Sequence, residues 1–408
     1  MRLGNGSGGS ALQVKALLLL STILISTACG STSTSSAPTG PGSLACKNGH
    51  ITIGFAKEKT GPTAFIDIPG TQAVEIAIDE INAAGGIHGC QIATIFGDTK
   101  GDPATAAQVA EELIRKGAQI LFVSDDFDLG VAAAQAGEKA GLLVLSSGAA
   151  STQFGKAVGP HLFSGGISTN VLGTSVARFA VSKGWKNAFI LVNKALAYFT
   201  EQDTAYRSVS GVTVVGEDSN NSFTASDFSS TISKIANTNP KPDVIYDLLT
   251  FPPVATFVKQ LRAAGLATPV LGDTAMASRQ FPETTGKTGI DNVYYCTVAY
   301  YEGAGIDSAV DPAMVKFTQE YQAKFGTFPE GANAPDGWLF FNAIAKALKQ
   351  PNVNTVDAAT RAINAEQGLV LPGNTLRRWT DGYAVWDGNI VSFTPTGEFR
   401  YVTVYPSQ

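Results

Sequence analysis

The sequence is 408 residues long, 44% apolar and only 15% charged, with a net charge of −5. Whole-chain disorder is excluded, because it needs low hydrophobicity with high net charge, and the acidic balance excludes a nucleic-acid backbone binder, which needs a basic face. At roughly 100–200 residues per domain, the length predicts two units, each with its own core.

In chain order, Arg2 and Lys15 precede the apolar run Ala16–Ile25, broken by Ser21 and Thr22. That run is about half of the roughly 20 residues a spanning helix needs, so residues 1–28 are expected to be a signal peptide. Ser26-Thr27-Ala28-Cys29-Gly30 resembles a bacterial lipobox, with Ser26 where leucine is usual. Lipidation of Cys29 would hold the chain at the outer face of the cytoplasmic membrane. Ordinary cleavage, with release into the periplasm or medium, is the alternative. Residues 29–45 contain the Ser/Thr/Pro/Gly-rich stretch STSTSSAPTGPGS and are expected to be a tether. Loss of residues 1–28 removes Arg2 and Lys15 but no acid, which moves the net charge from −5 to −7.

An exported chain tends to pair its cysteines. Cys46 and Cys90 each lie just before a strand candidate, and adjacent parallel strands would bring them together. The expectation is a Cys46–Cys90 disulfide, with Cys296 a thiol in an apolar strand; a pairing that involves Cys296 is the alternative.

Ile51–Phe55 is a short apolar strand followed by Thr60-Gly61-Pro62, and Val74, Ala77, Ile78 and Ile81 make a helical stripe stopped by Gly85-Gly86. Ile92–Phe96 is the next strand, and Asp102-Pro103 can cap and open a helix whose stripe is Ala106, Val109, Ala110 and Leu113. Strand Ile120–Val123, helix Gly130–Ala140 and strand Leu142–Leu145 follow. After Ser164-Gly165-Gly166 the rhythm restarts with strands at 188–192, 212–215, 244–248 and 269–272 and helices at 228–236 and 254–264. Asn292–Ala299 is apolar and aromatic, helices are expected at 312–325 and 338–348, and the stretch from about Leu369 is strand-like. Such alternation implies parallel sheets with right-handed crossovers: an α/β chain of two Rossmann-like lobes.

Catalytic motifs are missing. There is no G-x-G-x-x-G or G-x-x-x-x-G-K-[ST] after a strand and no G-x-S-x-G elbow. The three histidines, His50, His88 and His161, have no metal-ligand neighbours at helical spacing, and no cysteine pair has finger spacing. No cofactor, metal, catalytic residue or enzyme activity is expected.

Ile51-Thr-Ile-Gly-Phe55, Thr60-Gly-Pro62 and Ala77-Ile-Asp-Glu-Ile-Asn-Ala-Ala-Gly-Gly-Ile-His-Gly89 resemble the first βαβ unit of type I periplasmic binding proteins. Within that family they look most like the leucine/isoleucine/valine-binding branch of ABC-importer substrate-binding proteins. Asp98–Pro103, Phe228–Ile235, Pro242–Tyr246, Val258–Gly265 and Val315–Gly326 are similar to later segments of that family. The resemblance implies two lobes joined by a three-segment hinge, residues 46–165 with about 300–365 and about 166–299 with about 366–408. It also implies a monomer that closes on a small solute and delivers it to a membrane ABC permease, in amino-acid or related transport. A sensing receptor on the same fold is the alternative; a branched-chain amino acid binder proper or an extracellular enzyme fits less well.

In open α/β sheets, ligands sit beyond the carboxyl ends of the strands. The loops there supply the expected ligand-binding residues Phe65, Ile66, Asp125, Asp126, Phe127, Asp128, Ser147, Gly148, Ala149, Ala150, Tyr198, Thr250, Phe251, Asp273 and Thr274. The resemblance places Asp128 where a carboxylate-binding serine is usual and Ala150 where a threonine is usual. Tyr198 matches a cleft tyrosine, and Thr250-Phe251 replaces another. Thr274 stands where an ammonium-binding acid is usual, with Asp273 one residue early. An aspartate facing a ligand carboxylate repels it, so the expected solute is a neutral or cationic organic molecule rather than a simple α-amino acid. Helix capping or binding across the hinge is the alternative role for the 125–128 acids.

Overall fold

The computed structural model describes residues 42–61, 64–287, 289–331 and 333–407. Residues 1–41, which include the expected signal peptide, Cys29 and most of the expected tether, lie outside the described residues. The first half runs β1 (His50–Lys57), α1 (Ala64–Ala83), β2 (Gln91–Asp98), α2 (Pro103–Arg115), β3 (Ile120–Val123), α3 (Phe127–Lys139), β4 (Leu143–Ser146), α4 (Phe154–Val158) and β5 (Leu162–Ser164). Next come α5 (Thr169–Ser182), β6 (Asn187–Val192), α6 (Ala197–Arg207), β7 (Thr213–Ser219), α7 (Ser229–Asn237), β8 (Val244–Leu248), α8 (Pro253–Ala263), β9 (Val270–Gly272), α9 (Gln280–Thr285) and β10 (Val293–Thr297). The chain ends with α10 (Pro312–Phe325), α11 (Asn333–Leu348), α12 (Val356–Asn364), β11 (Leu369–Leu371), β12 (Asn374–Thr380), β13 (Tyr383–Trp386), β14 (Gly388–Phe393) and β15 (Phe399–Tyr405).

Two mostly parallel sheets result. The first has the order β11-β12-β13-β5-β4-β3-β1-β2 and the second β15-β14-β10-β9-β8-β6-β7. The central strands β3 (ILFV) and β4 (LVLS) are buried at every residue, as expected where helices cover both faces of a parallel sheet. Asp102 accepts the Thr105 N–H and Pro103 takes the first helical position of α2, so its first turn is satisfied locally. No helix among the described residues is long and apolar enough to cross a membrane.

Three chain crossings join the sheets and are tied to one another. Trp386 Nε1 donates to the Gly165 carbonyl at 2.7 Å, linking the third crossing to the first. Asn389 Nδ2 donates to the Val298 carbonyl at 2.7 Å, linking the third to the second. The return to the second sheet comes at Asp387, later than the 366 read from the sequence: β11–β13 pair with one another and extend the first sheet beside β5. A run of turn-rich strands does not by itself say which sheet edge it joins.

Several elements exceed the sequence expectation. Helix α1 begins at Ala64 and carries Pro69 inside it, so its first turns hide behind a residue that usually ends helices. Helix α5 buries Thr169, Gly173 and Ser175 along with its apolar residues, and α6 buries Gln202. Neither shows a clean apolar stripe. Cys46 and Cys90 are joined in a disulfide with Cα atoms 5.8 Å apart, while Cys296 is a buried free thiol.

Candidate functional site

The carboxyl ends of the two sheets face each other across a cavity of about 810 Å³, within the range of small-molecule sites. Helices α1 and α11 bring the first wall together. A Cβ on Gly337 would stand 2.5 Å from the Gly70 carbonyl, and one on Gly70 would stand 2.4 Å from Asp125 Oδ2. Glycine at both positions therefore lets α11 lie against α1 and lets α1 lie over Asp125. The result puts Phe65, Ile66, Ile68 and Pro69 of α1 beside Asn333 and Asp336 of α11. Asn333 Nδ2 donates to the Ile66 carbonyl at 2.8 Å, holding the two helix starts in register.

Beneath this wall lies a fully buried ion pair. Lys57 Nζ, at the end of β1, is 2.5 Å from Asp125 Oδ1 and 3.7 Å from Asp67 Oδ1. Asp125 also accepts from the Ser147 hydroxyl at 2.8 Å and the Gly148 N–H at 2.9 Å. Asp67 accepts the Glu58 and Asp125 N–H groups, each at 2.7 Å, stitching the ends of β1 and β3 to α1. Burial pushes the Asp125 carboxyl up, and the Lys57 charge opposes it.

The second sheet contributes Leu196, Tyr198 and Phe199, Phe223 and Thr224, Thr250, Phe251 and Pro252, and Thr274, Ala275, Ser278 and Gln280. The Tyr198 hydroxyl lies 2.7 Å from Thr274 Oγ1. Behind them Asp273 accepts from Gln202 Nε2 at 2.8 Å and from the Ala275 N–H at 2.9 Å. Burial pushes Asp273 to about 6.

Of the residues expected from sequence, Phe65, Ile66, Asp125, Asp126, Gly148, Ala150, Tyr198, Thr250, Phe251 and Thr274 line the cavity, and Phe127, Asp128, Ser147, Ala149 and Asp273 do not. Phe127 packs edge-on to Phe154, because it sits in the first turn of α3 and turns toward the helix side of the sheet. Asp126 caps α3 by accepting the Leu129 N–H at 3.2 Å. Asp128 is exposed and accepts the Ala197 N–H at the start of α6. Two of the three clustered acids thus cap helices, the second across the lobes, and Ser147 and Asp273 spend their hydrogen bonds beneath the cavity.

Sequence reasoning missed the wall supplied by the loop before α11 and by its first turn: Glu330, Gly331, Asn333 and Asp336. Helix α11 was expected to start at Trp338. Asp336, two residues ahead of the apolar run Trp338-Leu339-Phe340-Phe341, was the available signal.

Two carboxylates cross between the lobes. Glu201 of α6 accepts from Ser151 Oγ at 2.8 Å, Gln153 Nε2 at 2.9 Å and the Thr152 N–H at 3.0 Å, all in the loop after β4. Thr169 Oγ1 adds a bond of 2.7 Å. Burial alone would raise Glu201, but these donors hold it below the ordinary glutamate range. In the opposite sense, Glu330 before α11 accepts from Ser278 Oγ at 2.5 Å and the Arg279 N–H at 3.1 Å. The Arg279 guanidinium is turned away, 3.5 Å from the Phe328 ring centroid and bonded to the Glu302 and Ala304 carbonyls.

The wall is therefore mainly apolar and aromatic, with the acids Asp125, Asp126, Glu330 and Asp336 and, among the described residues, no lysine or arginine. No cluster of metal-ligating side chains occurs among the described residues. Such a site has the means to hold an organic molecule by burial, ring contact and hydrogen bonds.

The family described as "Periplasmic binding protein" matches residues 50–397. Leu/Ile/Val-binding protein homolog 1 of Brucella abortus is 24% identical over 367 residues, covering 81% of this chain and 91% of the relative. Among solved structures, the branched-chain amino acid transporter substrate binding protein LivJ from Streptococcus pneumoniae, in complex with isoleucine, superposes with a TM-score of 0.73 at 20% identity. The superposition covers 87% of this chain and 99% of that one. A solute binding protein of an ABC transporter from R. palustris, in complex with benzoate, has a TM-score of 0.71 at 17% identity, covering 88% and 97%.

Proposed function

This chain belongs to the periplasmic binding protein family, a family of binding proteins rather than enzymes, and we propose that it is the exported solute-binding component of an ABC importer. Its solute is an organic molecule without a carboxylate, held in the cavity between the two sheets. The observation that carries this reading is the charge of the wall: four acids and, among the described residues, no basic side chain line the cavity. A carboxylate enclosed there would find no cation, because Lys57 is already committed to Asp125 and Asp67, and each wall acid it met would have to stay neutral to tolerate it. The structures that hold isoleucine and benzoate carry carboxylate solutes; the acids of this wall and its lack of a basic side chain among the described residues support a solute of different charge here.

Capture proceeds by closure of the lobes about the three tied crossings. The solute stabilises the closed state through contacts with both lobes, and Glu201 and Glu330 add bonds from each lobe to the other. Delivery is to a membrane permease. Cys29, outside the described residues, is the proposed lipid anchor; incorporation of an alkyne fatty acid that disappears in Cys29→Ala tests it. Calorimetric titration with leucine, isoleucine and benzoate tests the charge reading. Binding weaker than millimolar is expected for all three, and micromolar binding of any of them overturns it.

A further inference from the structure

The acids of the wall are not equivalent. Asp125 is paired with Lys57, Asp126 caps α3, and Glu330 accepts from Ser278 and Arg279. Asp336 differs. It is only 2% exposed and lines the cavity. One of its oxygens accepts the Ile167 N–H, whereas Oδ1 has no hydrogen-bond partner in the protein. Leaving a buried polar atom unpaired is costly, so a group that satisfies it binds with a head start.

The other lobe holds a counterpart. Thr250 also lines the cavity, and its Oγ1 is buried without a partner in the protein. Two residues of one cavity wall, one from each lobe, therefore each carry a buried oxygen without a partner in the protein. The same wall offers Phe65, Tyr198 and Phe251, and aromatic faces attract cations. Burial first, and then the charges of Asp125 and Glu302, both acidic, hold the Asp336 carboxyl well above the ordinary aspartate range. An ammonium beside it reverses that balance, and an anion worsens it.

We propose that Asp336 reads the charge of the solute, accepting a hydrogen bond from the protonated nitrogen of an aryl- or alkylammonium compound while Thr250 bonds its polar end from the other lobe. The proposal rests on the cavity being the solute site, and it narrows that reading from a solute without a carboxylate to an organic cation.

The test uses the full chain and three probes of one carbon skeleton: 2-phenylethylamine, 2-phenylethanol and phenylacetate. Binding is followed by thermal shift and calorimetry. The amine is expected to bind about tenfold or more tighter than the alcohol, equivalent to about 1.4 kcal/mol, with no response to the acid. Asp336→Asn keeps an acceptor for Ile167 and is expected to bring amine and alcohol within about twofold of each other while alcohol binding persists. Its melting temperature without probe checks its fold. Thr250→Val, expected to weaken amine and alcohol alike, is the second variant.

An amine preference that survives in Asp336→Asn overturns the assignment, as does a preference for phenylacetate. Ala275→Trp, which fills the cavity from a half-buried position, separates the two levels. If the alcohol binds, Ala275→Trp blocks it and the amine has no advantage, the cavity reading stands and this inference falls. If no probe responds, or Ala275→Trp leaves every response intact, both fall.

Discussion

The Lys57 ammonium lies 2.5 Å from an Asp125 carboxylate oxygen, and neither side chain is exposed to solvent. Asp67, 3.7 Å from the same ammonium, makes Lys57 the shared counter-charge of two buried acids. Removing one partner of such a pair leaves an uncompensated buried charge, which costs about 3–5 kcal/mol. Lys57→Met is therefore expected to lose about that much in urea unfolding. Combining it with Asp125→Ser should recover part of the loss, since only Asp67 then remains unpaired. A single-variant loss below about 1 kcal/mol would show that the pair does not hold the cavity floor.

The lobe-to-lobe carboxylates make a second prediction. Glu201 gathers donors from residues 151–153, and Glu330 gathers them from 278–279. Hydrogen bonds to a charged group are worth about 1.5–3 kcal/mol. Glu201→Ala and Glu330→Ala should each weaken solute binding by about tenfold or more and enlarge the radius of gyration in small-angle scattering. Unchanged scattering together with unchanged affinity would mean that these contacts do not bias closure.

Stability should fall as pH rises through neutrality. Burial pushes Asp273 from 3.8 to about 6 and Glu302 from 4.5 to about 7. Between about pH 4 and 7 the folded state therefore holds more protons than the unfolded chain, and unfolding free energy decreases with pH. At about 1.4 kcal/mol per pKa unit, these groups should make the protein about 2–4 kcal/mol more stable at pH 5 than at pH 8. Asp98, held at about 2 by its hydrogen bonds from Thr60, Lys59 and Lys100 although burial opposes them, destabilises only below this window. Denaturant midpoints that rise steadily from pH 5 to pH 8 would contradict the burial of these carboxyls as neutral acids.

The close approach of α1 and α11 is steric. With 2.5 Å between a Cβ at position 337 and the Gly70 carbonyl, Gly337→Ala requires the helices to separate. The expected cost is about 1–3 kcal/mol. It should come with weaker solute binding, because Asn333 and Asp336 ride on the displaced turn. A neutral substitution would mean that the two helices can part without disturbing the cavity.

Much of the fold was legible in the chain. The buried runs at Ile120–Val123 and Val244–Leu248, the Asp102-Pro103 helix start and the Gly85-Gly86 stop all give local signals that the structure keeps. The attachment of β11–β13 to the first sheet was not, because strand pattern carries no information about which edge it pairs with. Part of the cavity was also legible: Asp125 and Phe251 lie in the loops just beyond β3 and β8, and Tyr198 lies in the first turn of the helix after β6, where α/β sheets gather ligands. Loop position alone did not distinguish Asp128, which bonds the α6 backbone outside the cavity, from Asp125 and Asp126, which line it. Asp336 was invisible to that reasoning because it lies in the first turn of a helix far along the chain, brought to the site by the Gly70–Gly337 contact.

The central claim is that the cavity between the sheets holds a solute that lacks a carboxylate. The most direct measurement is a thermal-shift screen of paired amines, alcohols, amides and carboxylates on shared carbon skeletons, run on the protein and on Ala275→Trp. Stabilising compounds are expected to lack a carboxylate, and Ala275→Trp is expected to abolish their effect. A carboxylate that stabilises the protein through this cavity, lost in Ala275→Trp and stronger than its uncharged partner, would contradict the claim.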